Sequence, residues 1–289
     1  PAAGGLPYDT NPKTPETKLP AGACDAHCHV FGPGDAFPYA PGRTYTPVDA
    51  GKETLFALHR HLGIERSVIV QASCHGRDNT AMLDAIAAGG GRYKGIAMVD
   101  PDVPADELKR LDDGGIKGVR FNFVSHLGAD ADIDGVLRVV DKIAPLGWHL
   151  VVHFEADRLE TLAPVLKRIP LTMVIDHMGR VDASRGLDQA AFRLLQDLME
   201  DERFWVKVSG CERISRAGPP FHDAVPFARG LVERFPDRTL WGTDFPHPNI
   251  KRFMPNDGEL VDLLPLIAPT PALMQSLLVD NPTKLYFTD

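Results

Sequence analysis

Only four cysteines occur in 289 residues, Cys24, Cys28, Cys74 and Cys211, too few and too scattered for the disulfide framework of a small secreted domain. No apolar run approaches the ~18 residues that a membrane-spanning helix needs, and the first residues lack the basic-then-apolar layout of a secretory signal. Basic runs are missing too. The 31 Lys and Arg are outnumbered by 39 Asp and Glu, for a formal net charge of −8, so the electrostatic footprint of a nucleic-acid binder is absent. There is no G-x-G-x-x-G after a first strand and no G-x-x-x-x-G-K-[ST], which removes the usual nucleotide cradles. Without G-x-S-x-G there is no serine nucleophile elbow either. These absences lead us to expect a reduced, soluble, cytoplasmic protein with neither a nucleic-acid nor a membrane partner.

What is present is a globular composition, 44% hydrophobic and 24% charged, arranged in a regular alternation. Residues 1–22 are rich in proline and glycine without an apolar period and read as an extended arm. The arm is suited to lie over the body or to reach a neighbouring subunit, so a homo-oligomer is among the expected states. From residue 23 to 289 short β-branched runs alternate with amphipathic stretches. The runs are Cys24–Phe31, Ser67–Ser73, Tyr93–Asp100, Ile116–Phe123, His149–Glu155, Leu171–Gly179, Phe204–Gly210 and Arg238–Pro246. Helical stretches include Lys52–Leu62, Asn79–Ala88, Asp132–Ala144, Leu159–Arg168, Asp188–Glu200 and Phe221–Arg234. Eight buried strands alternating with helices predict one α/β domain, a (β/α)8 TIM-type barrel.

In such a barrel the chemistry lies where strands end. The first strand ends in Asp25-Ala26-His27-Cys28-His29, whose two histidines, two apart, share one face. The fifth ends in His153-Phe154-Glu155, the sixth in Asp176-His177-Met178-Gly179-Arg180, and the eighth in Thr243-Asp244-Phe245-Pro246-His247. His27, His29, His153, His177 and Asp244 would therefore converge as nitrogen and oxygen ligands of a divalent metal, zinc first and manganese second. Catalysis without a metal is kept as the alternative. Guanidinium forks suit an acidic substrate: Arg120 shares a strand face with Asn122, Ser73 closes the second strand, and Arg180 and Arg213 follow the sixth and seventh. A locally positive mouth on an acidic protein is expected.

The phrases DAHCHVFGP (25–33), VIVQASCHG (68–76), GVRFNF (118–123), VIDHMGR (174–180), WGTDFPHPN (241–249) and NPTKLY (281–286) resemble the amidohydrolase superfamily. Within its amidohydrolase-2 branch the sequence is similar to the 2-pyrone-4,6-dicarboxylate lactonase group. The resemblance implies His27, His29, His177 and Asp244 as the hydrolytic centre and His153 as the strand-five ligand. It further implies Ser73, Arg120 and Arg213 as carboxylate binders. After GVRFNF the chain reads Val124-Ser125-His126 where another basic residue is expected, so His126 is the candidate contact there. His247 is expected to orient Asp244 or line the mouth. The implied reaction is hydrolytic opening of a small anionic lactone in aromatic-compound breakdown, with Asp244 as the proton carrier. The alternatives are a 4-sulfomuconolactone-type hydrolase, a sugar-acid lactonase, a metal-dependent decarboxylase of the same branch, and a non-catalytic binding protein.

Overall fold

The computed structural model describes residues 6–123 and 133–288. Eight parallel strands follow one another around one sheet in chain order. They are β1 (Cys24–Cys28), β2 (Arg66–Val70), β3 (Tyr93–Ala97), β4 (Ile116–Phe123), β5 (His149–Phe154), β6 (Met173–Ile175), β7 (Phe204–Lys207) and β8 (Thr239–Leu240). No ladder of paired strands joins β8 to β1. Three backbone bonds close the seam instead: Ala26 N–H to the Trp241 carbonyl, His29 N–H to that of Phe245, and Asp244 N–H to that of His27, each 2.8 Å. The barrel closes on the residues that carry the site.

Alternation along each strand sorts side chains into two layers. Val68 and Val70 point inward with Ala26, Ile96, Val151, Val174 and Leu240, above Tyr286 at the barrel floor. Ile69, between the two valines, joins the outer layer under the helices. Burying each such side chain contributes about 1.5–3 kcal/mol. The helices that cover this layer are α1 (Lys52–Leu62), α2 (Thr80–Ala88), α3 (Ala105–Asp113), α4 (Ile133–Ile143), α5 (Leu159–Leu166), α6 (Ala190–Met199) and α8 (Val225–Arg234), while α7 (Cys211–Ile214) and α9 (Asp257–Asp262) are short. In α4 the buried Val136, Val139, Val140 and Ile143 fall at the i, i+3, i+4, i+7 spacing of one helix face. Among the described residues no helix is long and apolar enough to cross a membrane.

Several strands stop sooner than their apolar runs predict, and the remainder builds the rim. After β6, residues Asp176–Arg180 curl with positive φ at His177 (49°), Met178 (54°), Gly179 (61°) and Arg180 (50°). After β8, Asp244 takes φ 61°. Such values are unfavourable for residues with a Cβ and persist where packing fixes them. β1 ends at Cys28 because Phe31 exchanges both backbone bonds with Ala50 instead. Residues 6–22 lie extended on the body. Tyr8 sets its ring edge against Phe245 at 5.2 Å, and Lys13 pairs with Asp262 at 2.7 Å.

Candidate active site

At the strand ends, three imidazoles surround one carboxylate. The Oδ1 atom of Asp244 lies 3.2 Å from His29 Nε2, 3.4 Å from His27 Nε2 and 3.9 Å from His177 Nε2. Its Oδ2 accepts from Arg213 Nε at 2.5 Å. Burial opposes the charge of Asp244, but Arg213 and then the histidines outweigh it and hold the carboxyl well below its usual range. Two glycines permit this crowding. A Cβ on Gly242 would come within 2.5 Å of the His27 backbone nitrogen, and one on Gly210 within 2.9 Å of His177 Cβ.

Hydrogen bonds fix which imidazole nitrogen carries the proton. His29 Nδ1 lies 2.8 Å from the Val70 carbonyl, which can only accept, so Nδ1 carries a proton and a metal ion would find its ligand atom at Nε2, 3.2 Å from Asp244 Oδ1. His153 donates from Nδ1 to Asn122 Oδ1 at 2.8 Å, and its buried Nε2 has no partner. His177 Nδ1 meets Ser209 Oγ at 2.9 Å. Burial keeps His177 and His153 neutral, with pKa values well below the ordinary one. Ligand atoms of His27, His177 and Asp244 lie within 4.8 Å of one another. Neutral imidazoles anchored through Nδ1 around a carboxylate fit a divalent cation.

His27 differs from the others. Its Nδ1 faces Lys207 Nζ at 2.8 Å, and Lys207, fully buried at the end of β7, also reaches Asp176 Oδ1 at 3.0 Å. Arg120 Nε donates to the other oxygen of Asp176 at 2.8 Å. Burial, and then the Lys207 charge, push His27 down to about 3. Burial opposes ionisation of Asp176, but Lys207 and Arg120 hold it well below the carboxylate range.

The cavity above this floor, about 80 Å3, is lined by His29, His153, His177 and Asp244 together with Ser73, Arg120, Arg180 and Arg213. Arg180 receives no hydrogen bond acceptor from the described residues. Burial and neighbouring Arg213 lower it to about 10, still a cation at neutral pH. Tyr45, Thr44, Asn122 and Asn249 also line the cavity. Of these, only Asn122 is marked by strand parity; Tyr45 and Thr44 come from an irregular loop that carries no periodic signal. Lys207 did leave a trace, as a lone charge inside the apolar run FWVKV.

One expectation needs correction. His247 neither lines the cavity nor touches Asp244 through its ring. It is clamped between Asp257 Oδ1 at 2.8 Å and Glu212 Oε1 at 3.5 Å. Its backbone N–H, donated to the Asp244 carbonyl at 2.7 Å, is what supports the turn at Asp244. His59, on α1, is buried. It binds Asp25 Oδ2 at 2.9 Å and the Tyr93 hydroxyl at 2.7 Å, and the same Asp25 accepts from Thr243 Oγ1 and N–H. His126 lies outside the described residues.

These buried histidines make stability depend on pH from both sides. His27 and His149 are each lowered to about 3, by burial first and Lys207 second. Their contribution is present above the ordinary histidine value of about 6.5 and is lost as pH falls toward 3. His247 is raised to about 10, its burial overcome by Asp257 and Glu212. Its contribution is present below pH 6.5 and is lost as pH rises toward 10. Each group changes stability by about 1.4 kcal/mol per pH unit inside its window. Calorimetry in chelator from pH 4.5 to 9 should therefore show a maximum unfolding temperature near pH 6.5–7, with the steeper fall on the acid side. A midpoint that stays flat below pH 6 would contradict the neutral burial of His27 and His149.

A closed (β/α)8 barrel whose strand ends gather histidines around one aspartate defines a hydrolytic barrel enzyme. An amidohydrolase family model matches residues 24–288, and the chain belongs to the amidohydrolase family. It is 51% identical over 295 residues to a 2-pyrone-4,6-dicarboxylate hydrolase of Comamonas testosteroni, covering 99% of this chain and 97% of that one. A 4-sulfomuconolactone hydrolase of Hydrogenophaga intermedia is 42% identical, with 93% and 89% covered. Among solved structures, one of a probable 2-pyrone-4,6-dicarboxylic acid hydrolase from Acinetobacter baumannii with citric acid bound superposes with a TM-score of 0.80. It is 27% identical, over 92% of this chain and 99% of that one.

Proposed function

We propose that the protein hydrolyses the lactone ring of a small dianionic lactone, with 2-pyrone-4,6-dicarboxylate the first substrate to test. The observation that carries this reading is the shared cavity. Arg120, Arg180 and Arg213 stand around the same space as the Asp244–histidine cluster, so carboxylates can be gripped while a ring carbonyl faces the reactive groups. The identity to the pyrone hydrolase supports it.

Arg180, which has no other hydrogen bond among the described residues, and the outer nitrogens of Arg120 take the substrate carboxylates, with Ser73 as a hydroxyl donor. Water enters beside Asp244 Oδ1, which accepts its proton as the oxygen bonds to the lactone carbonyl carbon. His27, with Lys207 on its Nδ1, turns Nε2–H toward this point and donates to the developing oxyanion. Collapse breaks the ring C–O bond, and Asp244 returns the proton to the departing ring oxygen. One water is consumed, and the new carboxylic acid loses its proton to solvent, so the dicarboxylate becomes a tricarboxylate. His29, His153, His177 and Asp244 are the residues that would hold a divalent ion, zinc before manganese, because the Lys207 amine at Nδ1 leaves the His27 proton on Nε2. When bound, such an ion would acidify water toward a pKa of ~7 and polarise the carbonyl, which suits a carboxylate as weakly basic as Asp244.

The test is loss of pyrone ring absorbance with purified protein, before and after chelation, beside elemental analysis. Turnover that falls on chelation, with about one ion per chain, is the expected result. Turnover unchanged by chelation removes the metal and leaves the lactonase. Turnover of 4-sulfomuconolactone in place of the pyrone moves the substrate, as the second relative suggests. Hydrolysis of neither overturns the reading.

A further inference from the structure

A second cavity, about 260 Å3, adjoins the reaction cavity and shares Arg180, Arg213 and Asn249 with it as a common wall. Its outer wall carries Arg216, Lys251 and Arg252. Glu212 is the acidic residue on this wall, and its carboxylate is turned to His247 at 3.5 Å. The loop that forms the cavity is fixed in place. Asp223 accepts from Ser215 Oγ at 2.5 Å, from Arg216 N–H at 2.8 Å and from Ala217 N–H at 3.0 Å. Arg216 itself is held by the Arg213 and Ser215 carbonyls at 3.2 Å and lies 3.6 Å from Asp182. Lys251 and Arg252 are exposed and carry no ion pair among the described residues.

We infer that this basic annex is an anion antechamber, a site where small polycarboxylates collect before entering the reaction cavity through the Arg180–Arg213 wall and which the product crosses on leaving. On a chain of net charge −8 the mean field repels a dianion, so capture needs a local path of positive potential. The annex provides one that ends on the two guanidiniums facing the reacting groups. It also matches the product, which carries one carboxylate more than the substrate. The choice of polycarboxylate rests on the lactonase reading; the annex's preference for multiply charged anions does not.

The double variant K251Q/R252Q tests this, since neither residue belongs to the reaction cavity. With 2-pyrone-4,6-dicarboxylate, kcat/KM should fall roughly 3- to 10-fold at low ionic strength while kcat stays unchanged. The difference should shrink as salt is raised past the ~10 Å screening length of 0.1 M. Calorimetric titration with citrate, a tricarboxylate that needs no turnover, should show weaker binding by a similar factor. If the wild type turns over the pyrone but the variant matches it at every salt concentration, the antechamber is overturned and the function stands. If the wild type does not turn over the pyrone, the function falls, and citrate binding alone decides: equal affinity in both proteins overturns the antechamber.

Discussion

Asp244→Asn should lower kcat on the pyrone dicarboxylate by about 10³-fold or more, with substrate affinity changed far less. The side chain keeps its shape, so the effect isolates what the charge and the basic oxygen do. An amide cannot accept the water proton, which removes general-base help worth roughly 10²–10⁴. It also discharges the centre toward which His27, His29 and His177 converge at 3.2–3.9 Å, and leaves Arg213 without the anion 2.5 Å from its Nε. Arg213 then becomes a fuller partner for substrate carboxylates. This is why KM should hold or even fall while kcat collapses, the signature of an interaction made in the transition state. Single-turnover kinetics beside calorimetric binding would separate the two. A variant that keeps a tenth of the wild-type kcat would remove Asp244 from the role of proton carrier.

Much of this arrangement was legible in the sequence because barrel geometry ties function to strand ends. His153 and His177 follow β-branched runs, His27, His29 and Asp244 stand at the ends of the first and last short strand runs, and an eightfold alternation leaves few other ways to close such a chain. What was illegible depends on contacts that neither period nor propensity records. β6 and β8 read longer than their ladders because Met178 after the first and Trp241 and Phe245 after the second continue the apolar pattern, whereas the curl at His177 and the turn at Asp244 are held by tertiary packing. The ring of His247 could not be placed because its two carboxylates come from α7 and α9, and neither spacing announces a clamp. His59 sits on a helix beside charged residues, and only the folded chain brings Asp25 and Tyr93 to it. The floor of the site hid most completely. Lys207 and Arg120 lie on β7 and β4 and Asp176 directly after β6, and their mutual pairing across the barrel interior is a matter of closure.

That floor sets the second large expectation. Lys207→Met should destabilise the protein by about 3–5 kcal/mol, as removal of one partner from a buried ion pair does, although methionine fills the space of the aliphatic stem. The cost arises at Asp176, which is fully buried and would keep Arg120 as its remaining strong partner. A protein stable by the usual ~5–15 kcal/mol would lose a large share of that, visible as a lower denaturation midpoint at unchanged slope. The same change acts on chemistry through His27. With the lysine donors gone, Nδ1 becomes free to donate to Asp176 Oδ1, 3.4 Å away, and the proton leaves Nε2. His27 then meets the reaction as a lone pair and can no longer donate to the oxyanion, so kcat should fall about 10²-fold even where the variant remains folded, in line with loss of one oxyanion donor. Nitrogen NMR of the imidazole distinguishes the two tautomers directly, which a purely structural role for Lys207 would not move. A variant with wild-type stability and an unchanged His27 tautomer would show that the amine is not what holds this floor together.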